Sequence, residues 1–485
     1  MLNMQHLGRN ILSMVVSRVL SGVILFLIYT RLVQYLGPEA AGHFGLLSSY
    51  VTVFAFFVDL GMSQLVIKKM SEDSSNMGKY LTNYFLIQLA LGLMFMGIMD
   101  VFVLLADYPP HVKQALYVAA VGLLLSSLSL PFRSVIVAVQ RLTINARINF
   151  FNAFINAGIM ALAIILKQNV FFLAFISVGV SLFDLAIYGY IVNRKYAKFT
   201  FDFDWAFIKQ LFLWNTPFMM LTFFSIYNRI DGLLLPHLRN FVENGYYSAA
   251  YKFWDTLAFF PGVLGITLYP FFAQAISKNM LGDVKRGLET YTRYMIAVAL
   301  PMAAGTFLLS KQITLEFFGP AFLPAAPALW LLVLAASILF IYTPANSLII
   351  SQLTGVATKI TAFTFVFNIG LNLILIPKYG FVAAAAVTAA SELIQTIGYS
   401  YFINTRIVKY EFFRHFTKPI VATLTMAMFV YFYNDRNLYL VIAVGGLIYG
   451  VTLFVLRFFE RSDWDLLKSA VNIKKPVTPE KESIA

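Results

Sequence analysis

The sequence predicts an all-α membrane protein, and three observations support this fold class. Hydrophobic residues make up 60% of the 485 residues and charged residues only 12%, whereas soluble domains are about 45–50% apolar and 25% charged. The apolar residues form runs of about 20, the length at which an α-helix crosses the hydrocarbon of a bilayer. Within these runs polar and apolar residues do not alternate, as they would in the strands of a membrane barrel.

Fourteen membrane-spanning helices are expected, separated by turn or charge clusters such as Gly37-Pro38-Glu39. The expected spans are residues 11–34, 43–66, 80–104, 114–137, 148–166, 170–192, 210–234, 246–274, 291–310, 325–351, 358–377, 380–403, 419–433 and 437–457. We divide the chain into an N-lobe (1–200, spans 1–6), a C-lobe (201–410, an interfacial helix and spans 7–12) and a C-terminal region (411–485, spans 13–14 and a cytoplasmic tail). The interfacial helix is expected within residues 201–214, which mix aromatic and charged residues. This composition is typical of a helix on the membrane surface or of an ordinary juxtamembrane linker.

An internal repeat predicts that the first twelve spans form two parallel six-helix lobes around a central cavity. The sixth and twelfth spans, with their exits, each carry an acid, a glycine and an asparagine (Asp184, Gly189, Asn193; Glu392, Gly398, Asn404). Paired asparagines occur in the fifth and eleventh spans (Asn152, Asn156; Asn368, Asn372), and the second and eighth spans open alike (Glu39 to Gly42; Val242 to Gly245). Two such lobes are a recurring transporter architecture.

The distribution of positive charge predicts how the chain is oriented. Of the 36 Lys and Arg residues, 26 fall on the side of the bilayer that holds both termini, seven on the other side and three inside spans. Because positive loops stay in the cytoplasm, we expect a multi-pass protein of the cytoplasmic (inner) membrane, with both termini cytoplasmic and the first span retained. The net charge of +13 then follows from topology, and no nucleic-acid partner is expected.

The rarer residue types exclude several kinds of site. The chain has no cysteine, and its five histidines are scattered singly, so no metal site is expected. No Gly-x-x-x-x-Gly-Lys-Ser/Thr phosphate loop is present. We therefore expect a transporter with no catalytic residues and no bound cofactor, and coupling to Na⁺ or H⁺ stays open.

Ionisable residues inside the expected spans are the candidates for a functional site. A charge at the centre of a membrane helix costs about 2.5–3.5 kcal/mol on insertion scales, so it usually faces a polar cavity or a partner. Six of these residues are assigned to a basic, water-accessible substrate cavity between the lobes: Arg18, Asp59, Arg229, Asp231, Lys252 and Asp255. Asp184 and Glu392, at matching places in the repeat, are assigned to ion coupling or packing.

A structural role is the alternative for each of these charges. Arg18 and Asp59 lie at similar depth on neighbouring spans, so they would neutralise each other. Lys252 and Asp255 share a helix face at i, i+3. The two charges of the seventh span lie near the outer interface, where snorkelling to the lipid head groups would satisfy them.

Several sequence blocks resemble those of one transporter superfamily over nearly the whole chain. The blocks are Ser17 to Leu20, Leu36 to Gly45, Asp59 to Gly61, Asp231 with Gly245 to Lys252, Phe317 to Pro320, and Asn368 to Gly380. Together they resemble the multidrug/oligosaccharidyl-lipid/polysaccharide (MOP) exporter superfamily, and within it the flippases of O-antigen and other polysaccharide repeat units. The first block is also similar to flippases of lipid-linked peptidoglycan precursors. Ala383 departs from the family pattern, which often has a second glycine there.

The resemblance implies a flippase that moves undecaprenyl-diphosphate-linked oligosaccharides from the inner to the outer leaflet by alternating access. It implies the lipid-linked substrate and membrane lipid as partners, with a polysaccharide polymerase and a chain-length protein, as in lipopolysaccharide O-antigen synthesis. Intramembrane arginine and lysine fit this substrate because they donate charged hydrogen bonds to phosphate oxygens. The alternatives are a drug/cation antiporter of the same fold and a membrane polysaccharide polymerase, against which the short external loops of about 2–14 residues argue.

Overall fold

The computed structural model describes residues 4–73, 75–199 and 203–459 of the chain. Inside the helices, the side chains of residues 4–19, 142, 217, 221, 228, 263, 266, 267 and 270 fall outside that description. Arg18 is among them, so its predicted place in the substrate cavity lies outside the described residues. The same holds for residues 460–485.

Over these ranges the chain folds into long α-helices. They are α1 (Met4–Asp59), α2 (Met62–Glu72), α3 (Met77–Leu105), α4 (Pro110–Ala138), α5 (Leu142–Ile165), α6 (Val170–Lys195), α7 (Trp205–Ser225), α8 (Tyr227–Leu238), α9 (Phe241–Ser277), α10 (Leu281–Phe318), α11 (Ala326–Gln352), α12 (Thr354–Arg406), α13 (Thr417–Tyr433) and α14 (Leu438–Val455). Two short 3₁₀ segments, Pro320–Ala325 and Phe412–Phe416, precede α11 and α13. The predicted all-α membrane class is confirmed.

Two of the helices contain two predicted spans each. The first two spans lie on either side of Gly37 in α1, and the eleventh and twelfth lie on either side of Gly380 in α12. Both glycines have positive φ, 73° and 63°, a backbone conformation that glycine adopts without a steric cost. In the described residues ten helices are long and apolar enough to cross a membrane, and α7 with α8 form a further, bent candidate. The predicted count of fourteen spans is compatible with this arrangement.

The second predicted span is interrupted between α1 and α2, where Leu60 and Gly61 have φ of 47° and 75°. The Asp59 carboxylate holds this break together. It accepts hydrogen bonds from the backbone N–H of Ser63 at 3.0 Å, from the Ser63 hydroxyl at 2.8 Å and from Tyr84 of α3 at 2.9 Å. The seventh span is likewise bent by 41° between α7 and α8.

The two lobes meet where α1 packs against α9. Within the N-lobe, α4 packs between α3 and α6, and α5 packs on α1. Within the C-lobe, α11 packs against α9, α10 and α12. The last two helices pack on each other and on α10. The glycine breaks of α1 and α12 lie at one end of this bundle, which we call the kink end; the charge distribution predicts that it is external.

The predicted interfacial stretch 201–214 is continuous with the seventh span, because α7 runs without a break from Trp205 to Ser225. Asp204 begins this helix as its N-cap. Its carboxylate accepts the backbone N–H of Phe207 at 2.9 Å and pairs with Lys79 of α3 at 2.6 Å. The cap therefore ties the start of the C-lobe to the N-lobe.

The Asp204 cap predicts a pH-dependent contribution to stability. The hydrogen bond from Lys79, and then that from the Phe207 amide, lower the pKa of Asp204 below its ordinary value of 3.8. A lowered folded-state pKa stabilises the fold above the ordinary pKa, and this contribution is lost as the pH falls through the folded-state value. We expect Asp204→Asn to lower the melting temperature at neutral pH and to lose this effect at pH values well below 3.8. Asp435→Asn, in an exposed loop, is the matched control, and an unchanged melting temperature of Asp204→Asn at neutral pH would contradict the prediction.

Candidate functional site between the lobes

A polar cavity of about 270 Å³ lies between α1 of the N-lobe and α8 and α9 of the C-lobe. The N-lobe wall is made of Tyr29 and of small and hydroxyl-bearing side chains between Gly45 and Thr52 of α1. The C-lobe wall carries the charges, and four of the predicted site residues line it: Arg229, Asp231, Lys252 and Asp255. The bend before α8 and the start of α9 bring these four residues together.

A second cavity of about 460 Å³ adjoins the first and shares Arg229, Lys252 and Asp255 with it. The remainder of its wall is largely apolar, with Val23 of α1 and Phe260 of α9 among the lining residues. The three shared charges therefore stand at the junction of a polar and an apolar space. This is the arrangement that an amphiphilic ligand requires.

Arg229 is held by Asp255 in a two-point ion pair. Its Nη2 lies 2.6 Å from Oδ1 and its Nη1 donates to Oδ2 at 3.3 Å. The guanidinium carbon lies 5.1 Å from the centroid of the Tyr251 ring. Because an arginine carries five N–H donors and Asp255 takes two of them, the remaining donors are available to a ligand in the cavity.

Lys252 is placed differently from its neighbour. Its Nζ lies 4.9 Å from the centroid of the Tyr29 ring, a cation–π contact across the lobe boundary. Among the described residues it forms no salt bridge, although Asp255 is one turn away on α9. The side chain is half-buried, so it can present its ammonium group to the polar cavity.

Asp231 is almost fully buried, with 1% of its surface exposed. Its carboxylate accepts hydrogen bonds from Asn372 at 2.6 Å, Tyr247 at 2.7 Å and Thr388 at 3.1 Å. Asn372 and Thr388 lie on opposite sides of Gly380, so Asp231 ties both arms of α12 to α8 and α9. The Oδ1 atom of Asn372 is buried and has no hydrogen-bond partner among the described residues.

The described part of the cavity wall carries two cations, Arg229 and Lys252, and two carboxylates, Asp231 and Asp255. The sequence predicts a basic cavity, and the described residues are instead balanced in charge. The reason is that Asp231 and Asp255 lie on the same wall as the cations. The described side chains therefore give the cavity no positive excess. Arg18, which was predicted to add a positive charge, is not among them.

The other predicted site residues with described side chains, Asp59, Asp184 and Glu392, line neither cavity. Asp59 was expected in the cavity, but its carboxylate is occupied at the α1–α2 break by Ser63 and Tyr84. Asp184 accepts a hydrogen bond from Asn152 at 2.7 Å between α5 and α6. Glu392 is buried in the C-lobe and accepts one from Tyr342 at 2.6 Å. Roles of Asp184 and Glu392 in coupling stay predictions.

Close helix packing seals the lobes at the kink end. A methyl group on Gly42 would overlap the carbonyl oxygen of Phe241, and one on Gly245 would overlap the carbonyl oxygen of Pro38. Asn244 donates from its side-chain amide to the carbonyl of Gly42 at 2.7 Å. With no side chain between them, the two backbones are in contact.

A second contact crosses the lobes beside the glycines. The Tyr108 hydroxyl, in the loop between α3 and α4, lies 2.9 Å from Nε2 of His237 in α8. It also lies 3.2 Å from the hydroxyl of Tyr50 in α1. The kink end is thus closed by backbone contact and by a polar bridge.

Comparison with known proteins identifies the family of the chain. Residues 7–276, more than half of the sequence, match the model of a family described as polysaccharide biosynthesis protein. The chain belongs to this family. The predicted membership of the MOP superfamily is thereby supported from sequence as well as from fold.

Two archaeal proteins are similar to this polysaccharide biosynthesis protein. An uncharacterized membrane protein of Methanocaldococcus jannaschii is 27% identical over 294 residues, which are 57% of the chain and 56% of that protein. A probable low-salt glycan biosynthesis flippase of Haloferax volcanii is 24% identical over 170 residues, which are 35% of the chain and 36% of that protein. The matches thus extend over about half, or less, of the length of these curated relatives.

Solved structures show which fold the family member has. A lipid II flippase, MurJ, in an inward closed conformation superposes with a TM-score of 0.75 at 15% identity, covering 94% of this chain and 99% of that one. An inward-facing multidrug resistance MATE family transporter of the MOP superfamily gives 0.60 at 14% identity, covering 80% and 94%. The chain therefore has the fold that these two transporters share.

Proposed function

We propose that this protein is a flippase, not an enzyme, that moves undecaprenyl-diphosphate-linked oligosaccharide repeat units from the inner to the outer leaflet of the cytoplasmic membrane. The observation that carries the proposal is the junction of a polar and an apolar cavity at Arg229, Lys252 and Asp255, between two lobes. The polar space takes the diphosphate and the apolar space takes the first part of the lipid chain.

The chemistry of the substrate explains why cations stand at this junction. An unpaired diphosphate in hydrocarbon is prohibitively unstable, so its charge has to be met by donors along the route. Arg229 offers planar donors that match phosphate oxygens, and Lys252 offers a mobile point charge. Asp255 keeps Arg229 oriented before the substrate arrives and can release it on binding.

Transport by alternating access needs two gates that open in turn. The closed kink end supplies one of them, since Gly42 and Gly245 have to separate before a head group can leave there. A head group of about two negative charges that leaves a negative interior gains up to roughly twice 2.3 kcal/mol per 100 mV. This gain makes transport without ATP energetically feasible.

The test is transport of a head-group-labelled, undecaprenyl-diphosphate-linked oligosaccharide in proteoliposomes. We expect the label to reach the opposite leaflet faster than in protein-free vesicles. Movement no faster than in protein-free vesicles, under sodium and pH gradients as well as without them, would overturn the proposal. The same assay with a polysaccharide polymerase or a chain-length protein present tests these proposed partners.

Coupling to Na⁺ or H⁺ is proposed to act through Asp231. Its carboxylate stands beside the partnerless amide oxygen of Asn372, and oxygen atoms are the ligands that hard cations prefer. We expect gradient-stimulated transport in the wild type and none in Asp231→Asn, because the substitution removes the negative charge that a cation or proton needs. Asp184→Asn is the matched variant, and a loss confined to it would move the coupling site there.

A drug/cation antiporter is the second candidate function. It is favoured by the buried Asp231 and by the fold shared with a MATE transporter. Drug resistance on overexpression, together with no movement of the labelled lipid, would support it instead.

A further inference from the structure

A separate pocket of about 250 Å³ lies between the C-lobe and α2 of the N-lobe. Its wall includes the amides of Gln64 and Asn346, the hydroxyls of Thr222 and Ser225, and tyrosine rings. Among the described residues that line it, none is charged. The pocket therefore fits a neutral ligand with many hydroxyl groups, because amides and hydroxyls both donate and accept hydrogen bonds.

The tyrosines of this pocket are held in place by Glu392. The buried carboxylate accepts hydrogen bonds from Tyr342 at 2.6 Å and from Tyr227. Gln395 donates to the Tyr227 hydroxyl and accepts from Tyr399 at 2.9 Å. This connected network fixes three phenol groups around the pocket. It also supplies the hydrogen bonds that the buried Glu392 carboxylate needs.

The pocket lies close to the charged junction along one helix. Tyr227 and Arg229 are two residues apart at the start of α8, a rise of about 3 Å along the axis, and their side chains leave the helix on different sides. Arg229 faces α9 and Tyr227 faces α12. An oligosaccharide that extends around α8 from a diphosphate at Arg229 would therefore bring a sugar to the tyrosine wall.

We infer that this pocket binds a sugar ring of the lipid-linked oligosaccharide, and that Glu392 is the positioning residue for its tyrosines. Amide and hydroxyl groups bind the ring hydroxyls, and tyrosine faces cover the apolar face of the ring. The inference rests on the proposed function, since it assigns the glycan part of the same substrate. Phosphate is bound elsewhere, at Arg229 and Lys252.

The experiment compares two ligands on the full-length protein in lipid nanodiscs. One is the lipid-linked oligosaccharide pool extracted from cells that make this protein, and the other is undecaprenyl diphosphate, which carries no sugar. Dissociation constants are measured by native mass spectrometry. The variants are Gln64→Ala with Asn346→Ala, and Glu392→Gln; Thr358→Ala, one turn from the pocket on α12, is the control.

We expect both pocket variants to weaken binding of the oligosaccharide lipid by about tenfold, as for the loss of one or two hydrogen bonds. Binding of undecaprenyl diphosphate should not change, and this also shows that the variants are folded. Equal binding of the oligosaccharide lipid by variants and wild type would overturn the inference, and so would an equal loss for both ligands. Failure of the wild type to bind either ligand would instead overturn the proposed function.

Discussion

Lys252→Ala is expected to slow flipping of the labelled oligosaccharide lipid strongly while the protein still inserts in the membrane. Lys252 is the cation at the cavity junction that forms no salt bridge with a described carboxylate. The other cation, Arg229, is already paired with Asp255. A charged hydrogen bond of about 1.5–3 kcal/mol corresponds to a loss of roughly 10- to 150-fold in affinity. The measurement is the initial rate of lipid transport in proteoliposomes at matched protein content.

Two variants control this result. Lys252→Arg keeps the positive charge and should retain part of the rate, whereas Lys311→Ala removes an exposed lysine outside both cavities and should leave the rate unchanged. A normal rate in Lys252→Ala would remove this residue from the substrate path.

Gly42→Leu should prevent the lobes from closing at the kink end. The leucine side chain would overlap the backbone of Phe241, whose carbonyl carbon would lie 2.8 Å from the new Cβ. This clash exists only in the closed state, so the population shifts towards the open state and transport falls by at least about tenfold. Gly245→Leu should have the same effect, because its Cβ would meet Pro38 in the same way.

The shift can be measured in a background without cysteine, since the chain has none. Cysteines at positions 108 and 237, where Tyr108 contacts His237 across the lobes, should be joined efficiently by a short thiol cross-linker. We expect Gly42→Leu to reduce this cross-linking strongly. Gly97→Leu, at a membrane glycine with open space around it, is the control. Unchanged cross-linking in Gly42→Leu would show that the closed state tolerates the side chain.

Much of the architecture is predictable from the sequence because bilayer thickness and the cost of exposed backbone allow few alternatives. Gly37, between the first two predicted spans, and Gly380, at the start of the predicted twelfth span, agree with the helix breaks. The interruption at Leu60 and Gly61 was not predicted, because it depends on Asp59 reaching Tyr84 on another helix. Such long-range contacts leave no local pattern.

The candidate site was likewise predictable in its residues but not in their contacts. Sequence reasoning singled out Arg229, Lys252 and Asp255 because charges in apolar runs are conspicuous. It grouped Lys252 with Asp255 from their i, i+3 spacing, whereas the structure pairs Asp255 with Arg229. Spacing along one helix identifies neighbours, but the choice of partner depends on which side chain a second helix presents. Of the three side chains that donate hydrogen bonds to Asp231, Asn372 was noticed as one of the repeated asparagines, but its contact with Asp231 was not predicted.

The reciprocal contact of Gly42 and Gly245 has an evolutionary meaning. Each glycine meets the carbonyl of the residue four positions before its counterpart, so the two halves approach each other as identical subunits do across a two-fold axis. A half-length ancestor that dimerised through this surface would have formed the contact before duplication joined the halves. Once both copies were on one chain, they were free to diverge, and the four charges on the described C-lobe wall of the cavity could turn a symmetric interface into a one-sided receptor.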